Sequence, residues 1–197
     1  MSFTYENDFG ETYYLYKKET RADNWRYYFA KESDGQLANG IPDGYEIYEE
    51  ANGRVHLRKE IDKNFTDREI NIIKEGLRKN SAVKHWKLDI KENMVIIFNA
   101  KDPLEKFNRK GFITQKERKR MVKELRNFNP KMRFKLVDEN KRKFKIERYC
   151  LRSSFDDWVY VNSGKLEMLV KKYCKHLGRE SFYDLYYDKI ESIFDRC

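Results

Sequence analysis

Apolar and polar residues alternate in short runs through the N-terminal third of the chain, and this period of two predicts strands. Tyr13–Tyr16 and Trp25–Phe29 are aromatic-rich β runs, and Tyr45–Tyr48 and Arg54–Arg58 flank an Asn52-Gly53 turn, a strong hairpin signal. The connection Ser33–Gly44, with Gly35, Gly40, Pro42 and Gly44, reads as a plain link between strands, because links are built from these residues whether or not they hold a ligand. At Phe65 the period changes to that of a helix. Thr66 with Glu69, and Thr114 with Glu117, form two capping boxes, in which each side chain satisfies a free amide at a helix start. Ile70, Ile73 and Leu77 line the first helix, and Met121, Val122 and Leu125 line the second.

A matching strand follows each helix, with Trp86 and Leu88 in register with Phe134 and Leu136. A second strand comes after it, Met94–Phe98 in one copy and Lys143–Arg148 in the other. The helix–strand–strand unit is thus given twice at a spacing of about 48 residues, with a one-residue slip at the second strand. True duplication and chance similarity account for it equally well. Val95–Phe98 reads as buried on both faces, so the first copy is expected to be central and the second, basic copy peripheral. Beyond them, Leu166, Leu169, Val170, Tyr173 and Leu177 follow helical spacing up to Gly178. Phe182, Leu185, Tyr186, Ile190, Ile193 and Phe194 form a second amphipathic run. Such stripes cover a core or meet a second copy of the chain. Core covering is the expected use, and a homo-oligomer through these C-terminal helices is the other.

The expected fold is therefore α+β: an N-terminal antiparallel β meander, two helix–hairpin units and a C-terminal pair of amphipathic helices. Residues 1–64 form a mostly β part and residues 65–197 an α+β part, either as two domains or as one continuous domain. At 197 residues the chain is long enough for one ample core. Cys150, Cys174 and Cys197 are odd in number and lack framework spacing, which suits reduced thiols in a cytoplasm. The acidic N-terminus has no signal-peptide apolar run, and no stretch of about 18 apolar residues offers a membrane span.

Charge changes the picture most. Residues 106–152 hold 18 Lys/Arg against 5 Asp/Glu, whereas the remainder of the chain holds 24 against 28. General lysine richness would scatter cations and does not explain this clustering. Strand alternation puts Arg133 and Lys135 on one face of their strand, and Lys143 and Lys145 on one face of the next, with Phe134, Leu136, Phe144 and Ile146 inward. The helix before them adds Lys116, Arg118, Lys119, Arg120, Lys123 and Arg126. Like charges opposite one another repel, and an anionic polymer relieves that repulsion by releasing its counterions. Phe107, Phe112, Phe128 and Tyr149 are interleaved aromatics of the type that stacks on unpaired bases.

The leading expectation is a non-enzymatic binder of nucleic acid or another polyanion, with Lys119, Lys123, Arg126, Arg133, Lys135, Lys143 and Lys145 as phosphate contacts. The alternative is a protein-interaction module whose basic face meets an acidic partner. No zinc-finger, KH, RRM or basic-zipper signature is present, and neither is a P-loop, GxGxxG or GxSxG, so no cofactor is indicated. Cys174 and His176 diverge on a helix, which argues against zinc held there with Cys150 and Cys197. His56 and His85 read as half-buried strand residues. Asp89 and Lys91, with Asp43 or Glu46, faintly match the acid-and-lysine set of a metal-dependent nuclease, though plain alternation explains Asp89 and Lys91 fully. Asp156 and Asp157 read as a turn.

The block Pro42–Glu49, followed by Asn52–Lys59, resembles a conserved-hypothetical family of prokaryotic genomes. The likeness covers about 20 residues closely. It implies a stand-alone intracellular protein of prokaryotic type and carries no activity onto any residue.

Overall fold

The computed structural model describes residues 2–21, 24–102, 104, 114–150 and 157–189, without the side chains of 115, 118, 119, 157 and 186–189. The chain forms two compact units, Met1–Ile61 with Asp102–Arg126, and Asp62–Lys101 with Asn127–Cys197. Both strands and helices are present and the sheets are antiparallel, so the protein is of mixed α+β type. No helix among the described residues is long and apolar enough to cross a membrane.

In the first unit, strands β1 (Thr4–Glu6), β2 (Thr12–Glu19) and β3 (Trp25–Ala30) pair in that order, and β4 (Tyr45–Glu49) with β5 (Val55–Lys59) forms a separate two-stranded hairpin. The Asn52-Gly53 signal marks the tip of this hairpin, where Gly53 has φ of +86°. Buried Asn7 donates from Nδ2 to the Gly53 carbonyl at 2.7 Å, and its Oδ1 accepts from the Phe9 and Glu11 amides. One side chain thereby ties the β1–β2 turn to the hairpin tip. The Ser33–Gly44 link is pinned to β2. Leu37 bridges Tyr16, and the Tyr16 hydroxyl donates to the Glu32 carbonyl at 2.8 Å.

In the second unit, β6 (His85–Lys91), β7 (Met94–Ala100), β8 (Asn129–Asp138), β9 (Lys143–Cys150) and β10 (Asp157–Gly164) form one antiparallel sheet of order β10-β9-β8-β7-β6. Helix α1 (Asp67–Asn80) and a later helix (Leu166–Tyr173) cover one face. Ile73, Leu77, Leu169 and Tyr173 meet Val95, Ile97, Met132, Phe134, Phe144 and Ile146 there in a dry core. Gly76 permits the close crossing, since a Cβ at that position would stand 2.0 Å from Val170 Cγ1. The stripe Leu166, Leu169, Val170, Tyr173 and Leu177 is buried in this unit's own core. Gly178 follows with φ of +81°, and Phe182 and Leu185 join the core from a 3₁₀ segment, Glu180–Lys189. The Tyr186 side chain and Ile190, Ile193 and Phe194 lie outside the described residues.

Three features differ from expectation. Strand β8 of the basic copy is the central strand of five and β6 is an edge, so the basic hairpin is not peripheral. Asp157 opens strand β10 instead of sitting in a turn. Helix α2 (Gln115–Leu125) belongs to the first unit, although the strands that follow it in the chain belong to the second.

Candidate nucleic-acid interface

The sheet of the second unit has an apolar face under the helices, so strand alternation sends the cations to the opposite one. Register then decides their neighbours. Lys135 stands directly across from Lys145, and Arg133 directly across from Glu147. Facing side chains at such positions have Cβ atoms about 5 Å apart, so the two lysines repel. Glu147 is 4% exposed and binds two cations. Arg133 Nε donates to its Oε2, and Lys145 Nζ lies 2.7 Å from its Oε1. Burial alone would raise the Glu147 carboxyl, yet the bonds from Lys145 and Arg133 prevail and hold it below the usual carboxylate range.

Arg133 also sits over Trp158, its guanidinium carbon 4.3 Å from the ring centroid, and Tyr149 meets the same indole at 5.2 Å. Tyr160, paired with Glu147 on this face, is exposed. Lys135 and Lys143 make no ion pair or side-chain hydrogen bond among the described residues, and Lys143 is exposed. Nearby Lys131 has its ammonium lowered from the ordinary lysine value, first by burial and then by repulsion from Lys101.

The seven residues expected to contact phosphate therefore divide. Arg133, Lys135, Lys143 and Lys145 share one sheet face of the second unit. Lys119, Lys123 and Arg126 lie on or beside α2 in the first unit. Lys123 is exposed, Arg126 Nε donates to the Val122 carbonyl at 3.0 Å, and the Lys119 side chain lies outside the described residues. Of the four interleaved aromatics, Phe107 and Phe112 also lie outside them. Phe128 is buried under Lys87 and so is closed to a base, and Tyr149 packs on Trp158. Alternation along β8 places Lys131 on the face of Arg133, a signal that was open to sequence reasoning and missed. Trp158 and Tyr160 were missed with their strand.

The remaining chemistry is dispersed. Cys174 is buried with its thiol pushed up to about 12 by burial, which makes it an inert packing group, and His176 Nδ1 faces Ser181 Oγ at 2.9 Å. Lys91 Nζ lies 3.6 Å from Asp89 Oδ2 in the second unit, while Glu46 is tied to Arg58 at 2.7 Å in the first. Among the described residues no group of three His, Cys, Asp or Glu side chains is placed to hold a metal ion. No protein-family model matches the chain, and no curated protein or solved structure matches it.

Proposed function

We propose that the second unit binds nucleic acid along the sheet face opposite its helices. Lys135 and Lys143 serve as direct phosphate contacts, and Arg133 and Lys145 supply supporting charge. The observation that carries this reading is the pairing of Lys135 against Lys145 on a face where Glu147 is already engaged by Lys145 and Arg133, while Lys135 has no ion-pair partner among the described residues. An anionic backbone laid across β8 and β9 removes the repulsion and releases counterions. Exposed Tyr160 offers a ring to an unpaired base, which favours single strands over duplex.

Fluorescence anisotropy with random-sequence DNA and RNA, single- and double-stranded, at low and high salt tests the reading. Binding should weaken steeply with salt, and Lys135→Glu combined with Lys143→Glu should weaken it by about 100-fold or more at low salt. Glu147→Gln should tighten binding, because it leaves Arg133 and Lys145 without their internal carboxylate. Affinity that ignores salt, or that survives the double reversal, rejects the proposal. Cleavage that needs added Mg²⁺ would favour the nuclease reading instead.

A further inference from the structure

The first unit contains a groove of about 500 Å³ whose walls are β3 and β5. A pocket above a sheet face is lined by every second residue, because neighbouring side chains point to opposite faces. This groove is lined by Tyr13 of β2, by the consecutive residues Arg26 to Glu32 on one side and by Arg54 to Leu57 on the other. Consecutive lining brings main chain as well as side chains of β3 and of the Arg54–Leu57 stretch to the gap. β3 is the outer strand of its sheet and β5 an outer strand of its hairpin. Among the described residues no main-chain hydrogen bond joins either outer edge to another segment. Such edges present rows of N–H and C=O groups ready to pair with an added strand.

Charge selects the strand. Residues 1–61 hold 12 Asp/Glu against 8 Lys/Arg, yet the groove gathers Arg26, Lys31, Arg54 and His56 against Glu32 alone. Lys31 is held by Glu11 at 2.6 Å, and His56 Nε2 lies 2.7 Å from Glu50 Oε1. The exposed Arg26 and Arg54 side chains have no hydrogen-bond or ion-pair partner among the described residues. A small anion would engage the arginines and leave the edge groups unused. A strand carrying carboxylates uses both.

We propose that this groove binds an acidic peptide in extended conformation, added as a strand to the outer edge of β3 with its carboxylates on Arg26 and Arg54. Main-chain bonds to the edge supply affinity, and the two guanidinium groups supply selection. The site is independent of the nucleic-acid reading, which concerns the other unit.

Anisotropy of a labelled short peptide alternating valine and glutamate, titrated with the full chain, tests it. The glutamate peptide should bind, and its lysine counterpart should not. Methylating alternate peptide nitrogens should weaken binding by about tenfold, because main-chain donors are lost. Arg26→Glu and Arg54→Glu should each weaken it by about tenfold while leaving the circular dichroism unchanged, since both side chains are exposed. Amide exchange in β3 should slow when peptide is bound. Failure of the glutamate peptide to bind leaves the arginines as guards against edge-to-edge pairing and overturns the proposal. Equal binding of the methylated peptide, or full competition by pyrophosphate at matched concentration, also overturns it. So does loss of peptide binding through Lys135→Glu with Lys143→Glu, which would put the peptide on the other unit.

Discussion

Helices α1 and α2 begin with the same device and are used differently. In each, a threonine hydroxyl accepts from the amide three residues on, and the glutamate there returns a bond to the threonine amide. Helix α1 then buries Ile70, Ile73, Gly76 and Leu77, and its capping glutamate also receives Arg142 from the β8–β9 turn. Helix α2 has Val122 buried, leaves Leu125 57% exposed, and keeps exposed Glu117 within its own box. The cap sets where a helix starts. What the helix holds together is decided by its apolar stripe and by partners far away in the chain.

The sharpest way to break this comparison is to cut into both stripes. Ile73→Ala removes a side chain that is fully buried between α1 and the sheet, and should cost about 2–5 kcal/mol. Leu125→Ala on α2 should change stability by no more than about 0.5 kcal/mol. Hydrogen exchange resolved by peptide reads the two units separately. Equal losses in both variants would show that α2 carries as much of the fold as α1.

Next in size is the long-range partner. Arg142 has φ of +44°, in the left-handed region that a side chain disfavours by about 1–2 kcal/mol. It holds that conformation while Nε donates to Glu69 Oε1 at 2.9 Å, and Nη2 donates to Glu69 Oε2 and to the Asn64 carbonyl at 3.0 Å. Arg142→Ala should cost about 1–3 kcal/mol, because it strands a buried carboxylate and keeps the strained backbone. Arg142→Gly should cost less, because it relieves the backbone while losing the same bonds. If the glycine variant unfolds at the lower denaturant concentration, the strain is not there.

The same contrast shows what was legible in the sequence. Both boxes, the hairpin at Asn52-Gly53 and the alternation of Met132–Leu136 were readable, because each rests on residues within a few positions of one another. The partners of the cations were not. Arg142 meets Glu69 from 73 positions away, and Arg133 meets Glu147 from 14, distances at which no local pattern constrains pairing. These bonds turn part of the basic segment into internal structure, so a count of its charge overstates what faces a ligand. Strand β10 was missed because Asp157, Asn162, Ser163 and Gly164 are poor strand residues, and a bulge between Tyr160 and Asn162 interrupts its alternation. The strand-edge groove was hidden for a different reason: it is made by where two sheets stop, and no motif encodes an ending.

Acid separates the helices again, by a smaller margin. Glu69 is held below the usual carboxylate range even though burial pushes it up, because Arg142 and the Thr66 bonds outweigh that burial. Glu117 is held low by the Thr114 hydroxyl and amide, which outweigh a smaller opposing push from burial, with Arg120 adding to them. A depressed folded value means that stability is fully present above the unfolded carboxylate value, about 4.3, and is lost as pH falls through the lower folded one. The start of α1 should therefore lose exchange protection over that acid window, and Glu69→Gln should flatten the dependence. Glu117→Gln should leave the second unit's acid profile unchanged. An α1 profile indifferent to Glu69→Gln would assign the acid response to other carboxylates, with Glu147 the first to test.

The smallest effect isolates the shared device itself. Thr66→Ala and Thr114→Ala each remove one hydroxyl acceptor, from Glu69 N at 3.3 Å and from Glu117 N at 3.2 Å. The intrinsic loss at an N-cap is about 1 kcal/mol, and near-identical geometry gives both sites the same one. Its expression should differ. In α1 the box glutamate remains anchored by Arg142 and the stripe stays buried, so Thr66→Ala should lower global stability while the helix start keeps its exchange protection. In α2 no such long-range arginine holds Glu117 among the described residues, so Thr114→Ala should fray the first turn and speed exchange there, with little change in the global midpoint. Fraying of both helix starts to the same degree would mean that Arg142 adds nothing to the α1 box, and the difference between the helices would then reside in their apolar stripes alone.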